Sequence, residues 1–394
     1  MQNLSLLAQV AFLIVLAPIF SRISKIPVAV VEILIGMVAV WIGYVDGDSN
    51  TFKIIAKIGF FYLMFLAGLE IDIKKFISIK DKLFKKVILY FFILYGTAFI
   101  LYIIFDLNPV YIVALPVVSI GMIVILVNEY DKNERWLDMT LTIGVIGEII
   151  SITALVIYDA VIVYGFGIEL YQNMITLILI FIASYFLYKI FDFILWWFPK
   201  LKKIIMPEND NIGQDIRVSM ALFFVLIGIM QYYGIDMVLG AFIAGVFVAN
   251  FFKFKVELRG KLNAFGFGFL VPIFFVYVGT TVELDSLFKQ EVVMKSILII
   301  IAMVGIRLLG SFVSYYKILG FRDTVLFGLG SSMPLTFLIA IATLAHSEHV
   351  IGMYEYYSFV LAAIIESIGI MVLVKVILHF TGKSQKEKAL SKSA

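Results

Sequence analysis

The chain has 394 residues, 62% of them hydrophobic and only 15% charged, with a formal net charge of +3 and no cysteine. This composition excludes a soluble globular domain, because too few polar side chains remain to cover a water-exposed surface, and it excludes disulfides, thiol catalysis and thiolate metal sites. The three histidines, His346, His349 and His379, show no metal-ligand constellation, and nothing suggests a nucleic-acid partner or a cofactor.

In chain order, apolar runs broken by charge, proline or glycine predict thirteen spans. They lie near residues 4–20, 27–45, 53–70, 84–105, 108–127, 137–163, 170–195, 215–233, 236–252, 263–281, 293–316, 322–345 and 355–380. The first run has neither a basic lead-in nor a cleavage site before a polar domain, so it reads as a span and not as a removed signal peptide. Charge sorting supports the count. Loops after odd-numbered spans carry Arg22 and Lys25, the run from Lys74 to Lys86, Lys132 and Arg135, Lys200 to Lys203 with Arg217, Lys253 to Lys261, Lys317 and Arg322, and the tail lysines. Even breaks are short and acidic or neutral, with Asp46, Asp48, Asp106 and Glu283. The positive-inside rule then expects a multi-pass protein of the cell (inner) membrane, N-terminus outside and C-terminus cytoplasmic. Trp136, Trp196 and Trp197 fall at span ends, where an interfacial ring is expected.

The longest polar connection, residues 196–214, reads as a cytoplasmic linker. It separates a first repeat with a linking seventh span (1–195) from a second repeat (215–380), which a short basic tail follows (381–394). The tail is expected to be disordered near anionic lipid. The repeats begin on opposite sides, so their relation is an inverted one. Gly36 in span 2 aligns with Gly245 in span 9, Glu70 ending span 3 with Glu283 ending span 10, and Glu148 in span 6 with Glu366 in span 13. The order is preserved and the offsets, 209, 213 and 218 residues, are nearly constant. Gly240, Ala241, Ala244 and Gly245 give span 9 small-residue spacings suited to close helix packing. The fold class is therefore all-α and polytopic, with about thirteen transmembrane helices in an inverted repeat.

Within this frame Glu148 stands out as a carboxyl near the midplane of a long apolar run. Such an acid costs about 2.5–3.5 kcal/mol to insert and faces the protein interior, either to carry protons and ions or as a neutral group joining helices. Two further spans are interrupted at matching places. Span 5 holds Pro116 and Gly121, and span 12 holds Gly328, Gly330, Ser331, Ser332 and Pro334. Proline removes a backbone donor and glycine loosens the helix. Paired broken helices point to a transport site, because unwound backbone at that depth is tolerated only inside protein or beside water.

Three stretches, Lys57-IGFFYLMFLAGLEID, Val238-LGAFIAGVFVAN and Val271-PIFFVYVGTTVEL, resemble signatures of the monovalent cation/proton antiporter superfamily, in the branch with Kef-type systems and bacterial Na⁺/H⁺ exchangers. The resemblance covers essentially the whole chain. It implies a core built on two crossed discontinuous helices, a dimerisation domain, a homodimer and elevator-like movement of the core. It also implies that Glu148 occupies the essential acidic position of the sixth helix. There the family usually has Asp-Asp, Asn-Asp or Gln-Asp, and this chain has Gly147-Glu148. The second broken helix, Met333-PLTFLIA, carries none of the charges found near it in other members.

The chemistry expected is competition at one carboxylate. Burial favours the protonated acid, and an arriving cation favours the ionised form. Ser119, Ser151 and Thr336 are the candidate hydroxyls around a monovalent cation at Glu148, Na⁺ or K⁺, with H⁺ as the exchanged partner. One core carboxylate suggests electroneutral exchange. Arg307 and Glu366, both deep in their spans, are expected to form a structural ion pair, with Arg307 as compensating charge for Glu148 the alternative. Glu32 reads as an interior polar contact, and Glu70, Asp72, Glu283 and Asp285 as solvated span ends. His346 and His349 read as ordinary loop residues, with a pH sensor as the alternative. Competing functions are a Kef-type potassium efflux channel-like protein, which would carry a further nucleotide-binding domain, a sodium-coupled solute symporter, and an inactive relative. No intramembrane enzyme arrangement is present, so an enzyme is not expected.

Overall fold

A computed structural model describes residues 2–70, 81–119, 134–164, 213–234, 237–252 and 256–393, with isolated helical residues between 123 and 197. All the described secondary structure is helical: α1 (Gln2–Ser24), α2 (Val28–Trp41), α3 (Asn50–Leu69), α4 (Asp81–Phe105), α5 (Val110–Ala114), α6 (Arg135–Tyr164), α7 (Gln214–Tyr232), α8 (Met237–Phe251), α9 (Val256–Phe265), a π-helical turn (Gly266–Leu270), α10 (Val271–Thr280), α11 (Leu284–Leu287), α12 (Gln290–Gly330), α13 (Leu335–Ser347) and α14 (Met353–Ser393). Among the described residues, eight helical stretches are long and apolar enough to cross a membrane, and α2 and α8 are shorter apolar helices. The expected seventh span, and the linker apart from its last two residues, lie almost wholly outside the described residues.

The chain divides into two compact units, Met1–Ser78 with Thr153–Thr281, and Ile79–Ile152 with Val282–Ala394. In the first, two helix crossings are made through glycine. A Cβ on Gly36 of α2 would strike the Val276 carbonyl of α10 and approach Gly279 Cα to 3.2 Å. One on Gly245 of α8 would strike the Phe65 carbonyl of α3 and approach Gly68 Cα to 2.9 Å. The helices aligned by the sequence repeat, α2 with α8 and α3 with α10, thus exchange roles between the two crossings. Bare backbone lets these helices touch, and van der Waals contact at such places is the main attraction when lipid tails are as apolar as the side chains. Gly240 of α8 makes the same kind of approach to the Leu226 carbonyl of α7.

The tenth span, expected as one run, is α9, the π turn and α10. Pro272 has no N–H to return to the carbonyl four residues back, and the turn before it widens instead of closing. Tyr62 braces the junction by donating its hydroxyl to the Leu262 carbonyl at 3.1 Å. At the edge of this unit Arg259 reaches the Leu69 carbonyl and lies 3.7 Å from Glu70, so this span end is paired with a base. Asp72 lies outside the described residues.

In the second unit, α12 contains the eleventh span and the first part of the twelfth. The two are separated at Gly320, whose φ of +77° is open to glycine and turns the chain. Trp136 is fully buried, which corrects the interfacial expectation: its ring lies against Gly330, where an added Cβ would sit 3.2 Å from Trp136 Cζ3. The last helix continues to Ser393, so the basic tail is helical, in keeping with its Lys, Gln, Glu, Ala and Leu content.

Candidate functional site

Two helix interruptions in the second unit define the site. The first follows α5, which stops at Ala114; residues 115–119 are not helical. Pro116 cannot supply a helical N–H, and the carbonyls of Leu115 and Val117 lose their intrahelical partners. The second covers Ser331 to Pro334, between α12 and α13. Gly121, expected at the first break, lies outside the described residues.

Arg307 of α12 binds both interruptions. Its Nη1 donates to the Leu115 carbonyl at 2.9 Å and its Nη2 donates to the Val117 carbonyl, both in the first break. Its Nε donates to the Ser331 carbonyl of the second at 3.0 Å, and Nη1 also reaches Met303 O on its own helix at 2.9 Å. A guanidinium suits this task because its donors are fixed in a planar fork. Gly310, one turn further along, lets α12 lie against Tyr90 and Leu94 of α4. Tyr90 then brings its hydroxyl to 3.1 Å from Ser331 Oγ.

Hydroxyls tie the breaks together. Ser119 Oγ and Thr336 Oγ1 are 2.7 Å apart, joining the first break to the opening turn of α13. Ser151 of α6 accepts the Val118 N–H at 2.9 Å and so covers an amide freed by the first break. Glu148, buried on the same helix, precedes Ser151 by three residues, which puts both on one face. Gly147 is the reason α6 can come this close: an added Cβ would sit 2.9 Å from both Phe91 Cζ and Val118 Cβ. Apolar packing therefore fills the space beside Gly147.

Glu366 of α14 is fully buried, and its Oε1 accepts the Ser332 hydroxyl at 2.5 Å. The expected Arg307–Glu366 contact pair does not form: the guanidinium is held by carbonyls and the carboxylate by Ser332. Released carbonyls compete well for a guanidinium, because leaving them bare in an apolar interior is costly.

Ser119, Ser151, Thr336, Pro116, Ser331, Ser332, Pro334, Arg307 and Glu366 thus belong to one connected set with the helix that carries Glu148. Sequence reasoning missed Tyr90, since a tyrosine in an apolar helix looks like any core residue, and it missed the carbonyls of Leu115 and Val117, which leave no side-chain signature. Pro116 was the usable signal for the latter. Glu32 lies buried on α2 in the other unit. His346, in the last turn of α13, stacks on Tyr356 of α14, with ring centroids 4.9 Å apart. The oxygens of the set suit a hard monovalent cation in donor type, and among the described residues no group of three or more His, Asp or Glu is gathered as a metal cage.

A family model described as sodium/hydrogen exchanger, transmembrane, matches residues 10–378. The chain is 30% identical to the Bacillus subtilis (strain 168) protein YjbQ, whose name ascribes Na⁺/H⁺ antiport to it, over 93% of this chain and 62% of that protein, so it spans less than two thirds of that relative. It is 24% identical to the Na⁺/H⁺ antiporter of Enterococcus hirae, over 94% of this chain and 97% of the other. The structure of the sodium proton antiporter MjNhaP1 from Methanocaldococcus jannaschii has the same fold, with a TM-score of 0.64 at 16% identity, over 96% of this chain and 97% of that one.

Proposed function

Since this chain belongs to the sodium/hydrogen exchanger transmembrane family, we propose that it is a secondary antiporter exchanging a monovalent cation, Na⁺ or K⁺, for H⁺ at Glu148. The observation that carries this reading is the placement of a buried carboxyl one helical turn from Ser151, whose hydroxyl covers the first helix break. The protonated acid and the cation-bound carboxylate are both neutral, and each can be accommodated in an apolar interior where a bare carboxylate is disfavoured. Ser119, Ser151 and Thr336 supply hydroxyl oxygens near the breaks, and unwound carbonyls supply others. One cation is exchanged for one proton, without net charge transfer.

Alternating access follows from movement of the unit that carries Glu148, in an elevator-like manner, in a cell membrane with the C-terminus inside. Proton flux in proteoliposomes on addition of Na⁺, K⁺ or Li⁺ tests the proposal. The wild type responds to at least one of them, and Glu148→Gln responds to none. An equal response of both removes Glu148 from the mechanism.

A further inference from the structure

The first break is reached through α5, whose five residues are too few to hold a helix by its own hydrogen bonds. Its position is set by what grips its two ends. At the break, Arg307 holds the Leu115 and Val117 carbonyls. At the far end the grip is Asn108, in the same unit. Its Oδ1 accepts the Val110 N–H at 3.0 Å, which caps the first turn of α5, and its Nδ2 donates to the Val350 carbonyl at 2.9 Å.

Val350 belongs to the end of the other half-helix. α13 closes in a Schellman turn. His349 is left-handed, with φ +59°, and its N–H returns to the His346 carbonyl at 3.1 Å, while the Val350 N–H returns to the Ala345 carbonyl at 2.9 Å. The carbonyl that Asn108 binds is thus fixed to α13, whose opening turn carries Thr336, the partner of Ser119. α14 completes the frame. Tyr111 of α5 packs on Phe359, with ring centroids 4.9 Å apart, and His346 stacks on Tyr356, three residues earlier and on the same face of α14. The first break and α13 are therefore tied through Ser119 and Thr336, and the far ends of α5 and α13 are tied again through one asparagine amide.

We infer that Asn108 is a positioning residue for cation binding: by joining the start of α5 to the end of α13, it fixes the spacing of the hydroxyls and freed carbonyls at the breaks. This rests on the reading of the site given above. A set of oxygens binds a small cation tightly only when the right spacing is held before the cation arrives. Two half-helices joined at one end can pivot, and joined at both ends they cannot. Asn108 sits at the end of α5 away from the break, so it acts on affinity and not on the rate at which the loaded protein cycles.

The test is the half-saturating cation concentration and the maximal rate of exchange in proteoliposomes, with whichever of Na⁺ and K⁺ drives proton flux in the wild type. Asn108→Asp keeps an acceptor for the Val110 N–H, but a carboxylate cannot donate to Val350. Asn108→Ala loses both bonds. Each variant raises the half-saturating concentration at least threefold and keeps the maximal rate within twofold. A residue that only stabilised the fold would lower the amount of working protein, and with it the maximal rate, at unchanged half-saturation. A rise of less than threefold in both variants overturns the inference.

If neither variant folds, hydrogen exchange of the wild type decides the matter. Coupling between sites is reciprocal, so a brace that strengthens cation binding is strengthened by the cation. Saturating NaCl or KCl, compared with choline chloride, slows exchange of the Val110 and Val350 amides at least threefold, and a smaller change overturns the inference. The two readings fail separately. Exchange that survives Glu148→Gln defeats the site assignment, whereas a dead Glu148→Gln beside an Asn108→Asp with unaltered half-saturation defeats only the brace.

Discussion

Arg307 and Glu366 are both fully buried and are joined by neither a hydrogen bond nor a salt bridge; consecutive residues of the second helix break, Ser331 and Ser332, hold one each. The break is thus held from two sides, by a guanidinium and by a carboxyl group, and the first break is tied to the same guanidinium through Leu115 and Val117. Two pieces of irregular backbone outside the helices are served by one side chain.

Replacing Arg307 should therefore damage both breaks together. Arg307→Ala uncovers the buried carbonyls of Leu115, Val117 and Ser331, at a cost of about 1–3 kcal/mol for each one left unsatisfied. Arg307→Lys should recover little, because an ammonium cannot reproduce a planar fork. Thermal unfolding in detergent measures this, with the transition expected to fall for both variants. A lysine variant as stable as wild type would show that charge alone suffices.

Gly147 offers a steric test. Gly147→Asn, which imitates the usual family pair, forces a side chain against Phe91 and Val118, with an overpacking cost of about 1–3 kcal/mol. Lower stability and lost exchange are expected, with partial recovery when Phe91→Ala opens the space. A Gly147→Asn protein that is stable and more active than wild type would contradict this packing account.

The glycine crossings of the first unit separate close approach from ordinary glycine. Gly245→Val drives a side chain into the backbone of α3, which cannot yield, and should abolish monodisperse protein in size-exclusion chromatography. Gly268→Ala, in the π turn with nothing within 4 Å of an added Cβ, should change stability by less than about 0.5 kcal/mol.

The hydroxyl pair can be opened without a large change of shape. Thr336→Val leaves Ser119 without its 2.7 Å partner, at a cost of about 1 kcal/mol if the hydroxyls only bond each other. If Thr336 also faces the cation, the apparent cation affinity should fall several-fold while the pH dependence of exchange keeps its shape. Concentration series of exchange rate on the two proteins check this.

Much of the architecture was legible in the sequence because membranes impose coarse rules. Apolar length gave the helices, and Pro116, Gly330 and Pro334 marked where they break. Glu148 was visible because an acid at that depth is rare. The sequence was silent where backbone atoms act. Nothing in the residue string says that Arg307 will choose carbonyls over Glu366, or that Pro272 will be accommodated by a π turn. Trp136 misled, since its place at a helix end suggested the interface, while the small surface of Gly330 drew its ring inward. The residue string shows Gly147 only as a departure from the usual pair before the acid, whereas the closeness of Phe91 and Val118 makes it a packing requirement.

The most direct measurement is proton release from purified protein in weakly buffered detergent solution when Na⁺ or K⁺ is added. Competition at Glu148 predicts that cation binding by the wild type releases protons, more of them at lower pH until protonation prevents binding, and that Glu148→Gln releases none while remaining folded. Equal release from the folded Glu148→Gln protein would place the exchanging carboxyl elsewhere and contradict the account.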